Sequence, residues 1–230
     1  MPSDNTTPHK ASAYDEDVRK TIPFYETLQR EALNLVQTVC PEPALWLDTG
    51  CGTGYLVDLA GRLFPHTQFV LADPSEAMLT QARQRLAGEP EGRVRFLPPL
   101  PSEKLLTYQA ELRPQVITAL MCHHYLPLAE RQAAVQACYT LLDDSGLFIT
   151  FENIDLNTPQ STQIGLKRWC NFQLEAGRSA SAVEAHRQRF KTQLLPITVN
   201  EHLALLKSVG FRVVEHFWLS HMQAGFYALK

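Results

Sequence analysis

One short stretch constrains this chain more than any other: WLDTGCGTGYL, residues 46–56. Three glycines alternate at Gly50, Gly52 and Gly54, with an apolar run before them and a helix-like apolar run after. Glycine tolerates backbone conformations that other residues resist, and it lets a ligand come close to the main chain. A buried strand, a glycine turn and a helix make the first half of a nucleotide-binding βαβ unit. The helix start adds free N–H groups and a partial positive charge. Asp73 stands nineteen residues beyond Gly54, at the end of the next apolar run, TQFVLAD. An acid at that place can accept hydrogen bonds from both hydroxyls of a ribose.

The chain goes on in the same rhythm. ALWLDT, TQFVLAD, RVRFL, QVITALM and GLFITFE read as short buried strands. GYLVDLAGRLF, PSEAMLTQARQRLAG and LAERQAAVQACYTLL read as helices, the second with Pro74 in its first turn and Gly88 at its end. Such alternation implies right-handed crossovers and a mostly parallel, doubly wound α/β sheet. Residues 153–196 interrupt it with two helix-like runs, LKRWCNFQLEA and SAVEAHRQRF, which predict an inserted helical cap. A helix, VNEHLALLKSVG, and two strands, FRVVEHFWLS and MQAGFYALK, complete the chain. Only His221 and Met222 separate those strands, which suits an antiparallel hairpin. At the front, residues 14–43 predict N-terminal helices divided at Pro23. Residues 1–13 are polar, with two prolines, and predict a disordered tail before a single domain over 14–230.

Composition removes several function classes. A net charge of −3 and a pI near 6.2 offer no basic excess for a phosphate backbone, which argues against nucleic acid as partner. Five cysteines with no CxxC pair argue against a disulfide framework or a zinc site, so reduced thiols and a cytoplasmic location are expected. The front of the chain lacks the apolar core of a signal peptide, and no stretch has the length of a membrane span.

The spacing is G-x-G-x-G, tighter than the dinucleotide fingerprint. With Asp48 before the first glycine, LDTGCGTG resembles the first motif of class I S-adenosylmethionine (SAM) dependent methyltransferases. The resemblance implies a seven-stranded Rossmann-like sheet with an antiparallel last strand, and SAM as cofactor with S-adenosylhomocysteine (SAH) as its product. It implies that Asp48 orients the loop and the cofactor amine and that Gly50, Cys51, Gly52 and Gly54 lie along the methionine end. Asp73 would hold the ribose, with Pro74 and Met78 near the adenine. Three further segments, AYDEDVRKTIPFYETL, YLPLAERQAAVQACYTLLDDSGLFITFE and AHRQRFKTQLLPITVNEHLALLKSVGF, resemble the carboxy-SAM synthase group of the tRNA wobble-uridine pathway and its uncharacterised relatives. By that likeness Tyr25 touches the cofactor and Arg187 faces the carboxylate of carboxy-SAM, for which a guanidinium fork is well shaped. Two places depart from the group. Pro98, Pro99 and Pro101 stand where an adenine-binding acid is expected, leaving backbone groups or Glu103 for that task, and Leu120 stands nearest the place of an asparagine.

Methyl transfer from a sulfonium asks the protein to align a nucleophile and exclude water. A base is needed only when the acceptor must lose a proton. His123 and His124, after the fourth strand, and Glu152, at the end of the fifth, are the candidate catalytic groups. In the cap, Trp169 and His186 could meet a flat acceptor, as could Tyr14 from the N-terminal helices. Three adjacent residues cannot easily converge on one ion, so Cys122, His123 and His124 predict no metal site. The expected activity is methyl transfer to a small molecule. The alternatives are a carboxy-SAM synthase-like enzyme and a non-catalytic SAM-binding regulator. The N-terminal helices and the cap could offer a homodimer face.

Overall fold

A computed structural model describes Asn5 and residues 7–230. Its sheet begins at the glycine turn's own strand. Strand β1 (Leu45–Thr49) lies between β2 (Gln68–Ala72) and β4 (Val116–Leu120). Outward from these lie β3 (Val94–Phe96) on one side and β5 (Leu147–Asp155), β8 (Gln223–Leu229) and β7 (Val213–Ser220) on the other. The pairings from β3 through β5 are parallel, and β8 runs antiparallel to both β5 and β7. The strand order therefore reverses at β1, the switch point where open α/β sheets bind ligands. An eighth strand, β6 (Ile197–Thr198), adds to the expected seven by pairing with Ile154 and Asp155.

The strands carry apolar residues on both faces because helices cover both. Trp46, Phe69, Leu71, Val116 and Ile149 point into one core, under α1 (Tyr14–Thr21), α2 (Tyr25–Val39), α3 (Tyr55–Leu63) and α4 (Glu76–Arg85). Leu47, Val70, Ile117 and Phe148 alternate into the other, under α5 (Leu105–Gln109), α6 (Leu128–Leu141) and α9 (Val199–Val209). The period of two along each strand sorts these residues between the layers. Pro23 does end the first helix, and Phe24 takes a left-handed φ of 56° before α2 begins. Helix α4 starts later than the sequence suggests. Ser75 caps it by accepting from the Met78 N–H at 3.2 Å, so Pro74 lies outside the first turn and Gly88 beyond the last.

The cap consists of α7 (Pro159–Glu175) and α8 (Ala180–Gln188); β5 continues through residues 153–155, so the cap begins after them. It is tied to the front of the chain by the Trp169 indole, which donates to the Thr21 carbonyl at 2.6 Å. Of the expected tail, residues 1–4 and 6 lie outside the described residues. The remainder is packed: His9 and Ala11 are buried, and the His9 ring shares a hydrogen bond with the Thr21 hydroxyl at 3.1 Å. A polar segment is held here by hydrogen bonds, which hydropathy does not reveal.

Two glycines of the turn should respond differently to a methyl group. A Cβ on Gly50, at φ 67°, would lie 2.5 Å from the Cβ of Cys122, whereas one on Gly52, at φ 54°, would meet nothing within 4 Å. Gly50→Ala should cost about 3 kcal/mol, from left-handed strain and overpacking together. Gly52→Ala should cost about 1–2 kcal/mol, from the strain alone. Urea unfolding of the two variants checks the difference.

Candidate active site

The carboxyl ends of β1, β2 and β4 open into a cleft. Gly50 and Gly52 form its floor beside Asp73, and Pro74 and Met78 form one wall. The Asp73 carboxylate is buried and accepts from the Gly52 N–H at 2.9 Å and the Ser75 N–H at 2.8 Å. Burial pushes its pKa up to about 6, against the pull of those two hydrogen bonds. Leu120 and Tyr14 line the same space. Glu103 lines it too, and its Oε2 is enclosed without a hydrogen-bond partner. Gly54 does not line it. A Cβ there would come within 3.1 Å of Ala82, so this glycine serves the packing of α3 against α4.

Two smaller chambers adjoin the cleft. One lies between α2 and the glycine turn and is lined by Tyr25, Gln29, Asp48 and Cys51 together with Tyr14, Gly50, Gly52 and Leu120. Asp48 accepts from the Thr118 hydroxyl at 2.6 Å, which in turn accepts from the Trp46 indole at 2.9 Å. Burial raises Asp48 to about 7. The other chamber lies under the cap and brings His124 and His186 together with His9 and Asn153. Tyr14 and Tyr125 separate it from the main cleft and line both.

The histidine pair divides. His124 is fixed by Nδ1 against Glu152 Oε2 at 2.7 Å and by Nε2 against the Asn153 amide at 3.0 Å. His123 lines the cleft, and its Nε2 is buried without a partner. Burial lowers its pKa to about 4, so its ring is neutral at pH 7. Glu152 is not a free acid at the cleft mouth, as its place at a strand end suggests. It is buried and accepts from the N–H groups of His123 and His124 and from the Thr150 hydroxyl, besides the His124 ring. Burial, the largest single influence, would raise its pKa, but the His124 hydrogen bond and the neighbouring imidazoles of His124, His123 and His202 together outweigh it and hold it at about 2. Ligand atoms of Cys122, His123 and Glu152 do lie within 4.8 Å of one another. Hydrogen bonds already engage both oxygens of Glu152, from the backbone of the same turn, the Thr150 hydroxyl and the His124 ring.

Two cap residues stand elsewhere. Arg187 is on the outer face of α8, half-exposed and paired with both oxygens of Glu184 at 2.7 and 2.6 Å, in a groove apart from all three chambers. Trp169 is buried in the cap, edge-on to His186 at 4.8 Å, and lines none of them. The sequence reading also missed Arg131. This arginine is 1% exposed and donates to the carbonyls of His123 and Leu126 on the turn after β4 and of Leu195 beyond the cap. Its signal was a charged residue within the apolar stripe of α6, between Leu128 and Val135.

A Methyltransferase domain family model matches residues 47–148. Carboxy-S-adenosyl-L-methionine synthase of Campylobacter lari is 26% identical, over 89% of this chain and 85% of that one. The protein of the same name from Helicobacter hepaticus is 25% identical, over the same shares. The family match and these relatives support a class I SAM-dependent methyltransferase related to the carboxy-SAM synthase group. Among solved structures, the plantazolicin methyltransferase BpumL, in complex with a substrate analog and SAH, superposes with a TM-score of 0.71 at 13% identity, over 98% of this chain and 92% of that one. An O-methyltransferase from Nostoc punctiforme gives 0.66 at 14% identity over 89% of this chain, which spans only 56% of the longer protein. These likenesses show the fold. The site of this methyltransferase fits SAM by its own chemistry: Gly52 leaves a cradle that even a Cβ would begin to fill, and the enclosed oxygen of Glu103 is an acceptor in need of a donor.

The buried imidazoles make stability pH-dependent. Burial lowers His9, His123 and His202 to about 4 and His186 to about 3, from an ordinary 6.5. The unfolded chain therefore binds more protons between those values and 6.5, and stability falls as pH falls through that window. Asp48 and Asp73, raised to about 7 and about 6, act in the opposite sense there, but two carboxyls oppose four imidazoles. Calorimetry should show the melting temperature dropping from pH 7 to pH 4.5.

Proposed function

We propose that this enzyme methylates a small-molecule acceptor in the main cleft, with His123 taking the acceptor's proton. The carrying observation is the unpartnered Nε2 of His123, buried in a wall of the cleft and neutral at pH 7. SAM, when bound, supplies the electrophilic methyl carbon. The chain's residues supply the rest. Asp73 holds the ribose, Pro74 and Met78 flank the adenine, and Glu103 accepts from the adenine amine in place of the acid that the prolines displaced. Asp48, Gly50, Cys51, Gly52, Leu120 and Tyr25 surround the methionine end. Tyr14 and Tyr125 bound the space left for the acceptor, and the chamber of His9, His124 and His186 extends it. Glu152 positions His123 by accepting its backbone N–H, and its charge favours protonation of the ring.

A second reading, chemistry on the cofactor itself to give carboxy-SAM, is supported by the likeness to the carboxy-S-adenosyl-L-methionine synthases of Campylobacter lari and Helicobacter hepaticus. Arg187 does not serve it from its place on the outer face. Arg189 is better placed: it is half-buried, and its charge acts on Tyr125, His9 and His186.

Mass spectrometry of the ligand released from the purified protein separates the two readings. SAM or SAH supports methylation, and a species heavier by one carboxyl group supports the second reading. With a metabolite extract as acceptor source, His123→Ala should lower SAM turnover by roughly 10²-fold or more. It should leave SAH affinity in calorimetry nearly unchanged. Unaltered turnover would remove His123 from the mechanism.

A further inference from the structure

Helix α2 presents Tyr25, Leu28, Ala32, Leu33 and Val36 to the core. Gln29 belongs to the same buried face, only 3% exposed, where an apolar residue would be expected. Its side-chain oxygen is enclosed with no hydrogen-bond partner, and its amide makes no hydrogen bond among the described residues. A buried amide left in that state is unfavourable unless something outside the chain completes it.

Gln29 lines the chamber between α2 and the glycine turn together with Asp48, Gly50 and Gly52. Asp48 uses one carboxylate oxygen for Thr118, and the other makes no hydrogen bond among the described residues. The chamber thus offers two oxygen acceptors and an amide N–H pair. An α-amino acid end, with an ammonium beside a carboxylate, is complementary to this set: the ammonium needs several acceptors and the carboxylate needs donors.

We infer that Gln29 is a specificity-determining residue that recognises the amino acid end of the cofactor, its side-chain oxygen joining Asp48 in accepting from the ammonium. This rests on the SAM reading but not on which reaction follows, because SAM, SAH and carboxy-SAM share that end. Removing the amide should therefore weaken ligands that carry the amino acid end and spare one that lacks it.

The test is calorimetric titration of SAH and of 5′-methylthioadenosine, which keeps the nucleoside and thioether but has no amino acid end. Gln29→Leu should bind SAH ten- to hundredfold more weakly, as expected for a hydrogen bond to a charged group, and bind methylthioadenosine as the wild type does. Its thermal unfolding should not fall, since the substitution removes an unpartnered polar group. Gln29→Met, unbranched and close in volume, serves if the leucine variant fails to fold. Unchanged SAH affinity, or an equal loss for both ligands, would overturn the inference and leave the SAM reading standing. A wild-type protein that binds neither ligand would overturn both.

Discussion

The site depends on one hydrogen-bonded carboxylate. Asp73 follows β2, and its two oxygens hold the Gly52 N–H of the turn after β1 and the Ser75 N–H at the start of α4. Three segments of chain are thereby fixed at one level above the sheet. The glycine turn can reach this carboxylate because Gly50, Gly52 and Gly54 all have positive φ, a region that side chains disfavour. The parallel pairing of β1 with β2 adds to the constraint, since their register places Asp48 beside Leu71 and Thr49 beside Ala72. The floor of the cleft thus follows from strand pairing and turn geometry before any ligand enters.

The walls come from chain far away in sequence. Asp15 on α1 accepts from the Thr53 hydroxyl at 2.7 Å and pairs with Arg85 on α4, so the first helix is clipped to the glycine turn. Arg85 also donates to the Thr53 carbonyl at 2.9 Å. On the far side, Trp169 bonds Thr21, and Arg131 joins the turn after β4 to Leu195 beyond the cap. These are partly buried, charge-assisted or indole hydrogen bonds, stronger than exposed pairs. They hold Tyr14 over the floor and keep the imidazoles away from water, which is why burial dominates their pKa shifts.

Much of this was legible in the sequence because it rests on periodicity. Strands with apolar residues on both faces, a proline between two helices and a glycine turn before Asp73 each have a direct physical signature. Arg187 shows where that ends. The run AHRQRF offers Arg187 and Arg189 two positions apart, which on a helix is about 200° of rotation. Val183 and His186 take the inward face of α8, so Arg187 turns outward to Glu184 while Arg189, at the helix end, is half-buried. The order of residues names the arginines, but only the packed helix says which one turns outward. The front segment was missed for a related reason. His9 is held by Thr21 and Asp17, partners that a hydropathy reading of residues 1–13 does not contain.

His123 and His124 carry the point furthest. They are the same residue type, adjacent, on one short turn and equally buried. The two rings nevertheless have opposite hydrogen-bonding states, because β5 places Glu152 and Asn153 side by side below them. Glu152 takes both backbone N–H groups but only the ring of His124, and Asn153 completes that ring from the other nitrogen. Asn153 is itself held by the Gln223 amide from β8 at 2.9 Å. With each polar atom engaged, His124 is a fixed part of the scaffold. The ring left over, that of His123, is the one with a nitrogen to offer in the cleft. The antiparallel last strand therefore reaches the cleft wall through Gln223, Asn153 and His124, and it acts by deciding which histidine ring keeps an unpartnered nitrogen.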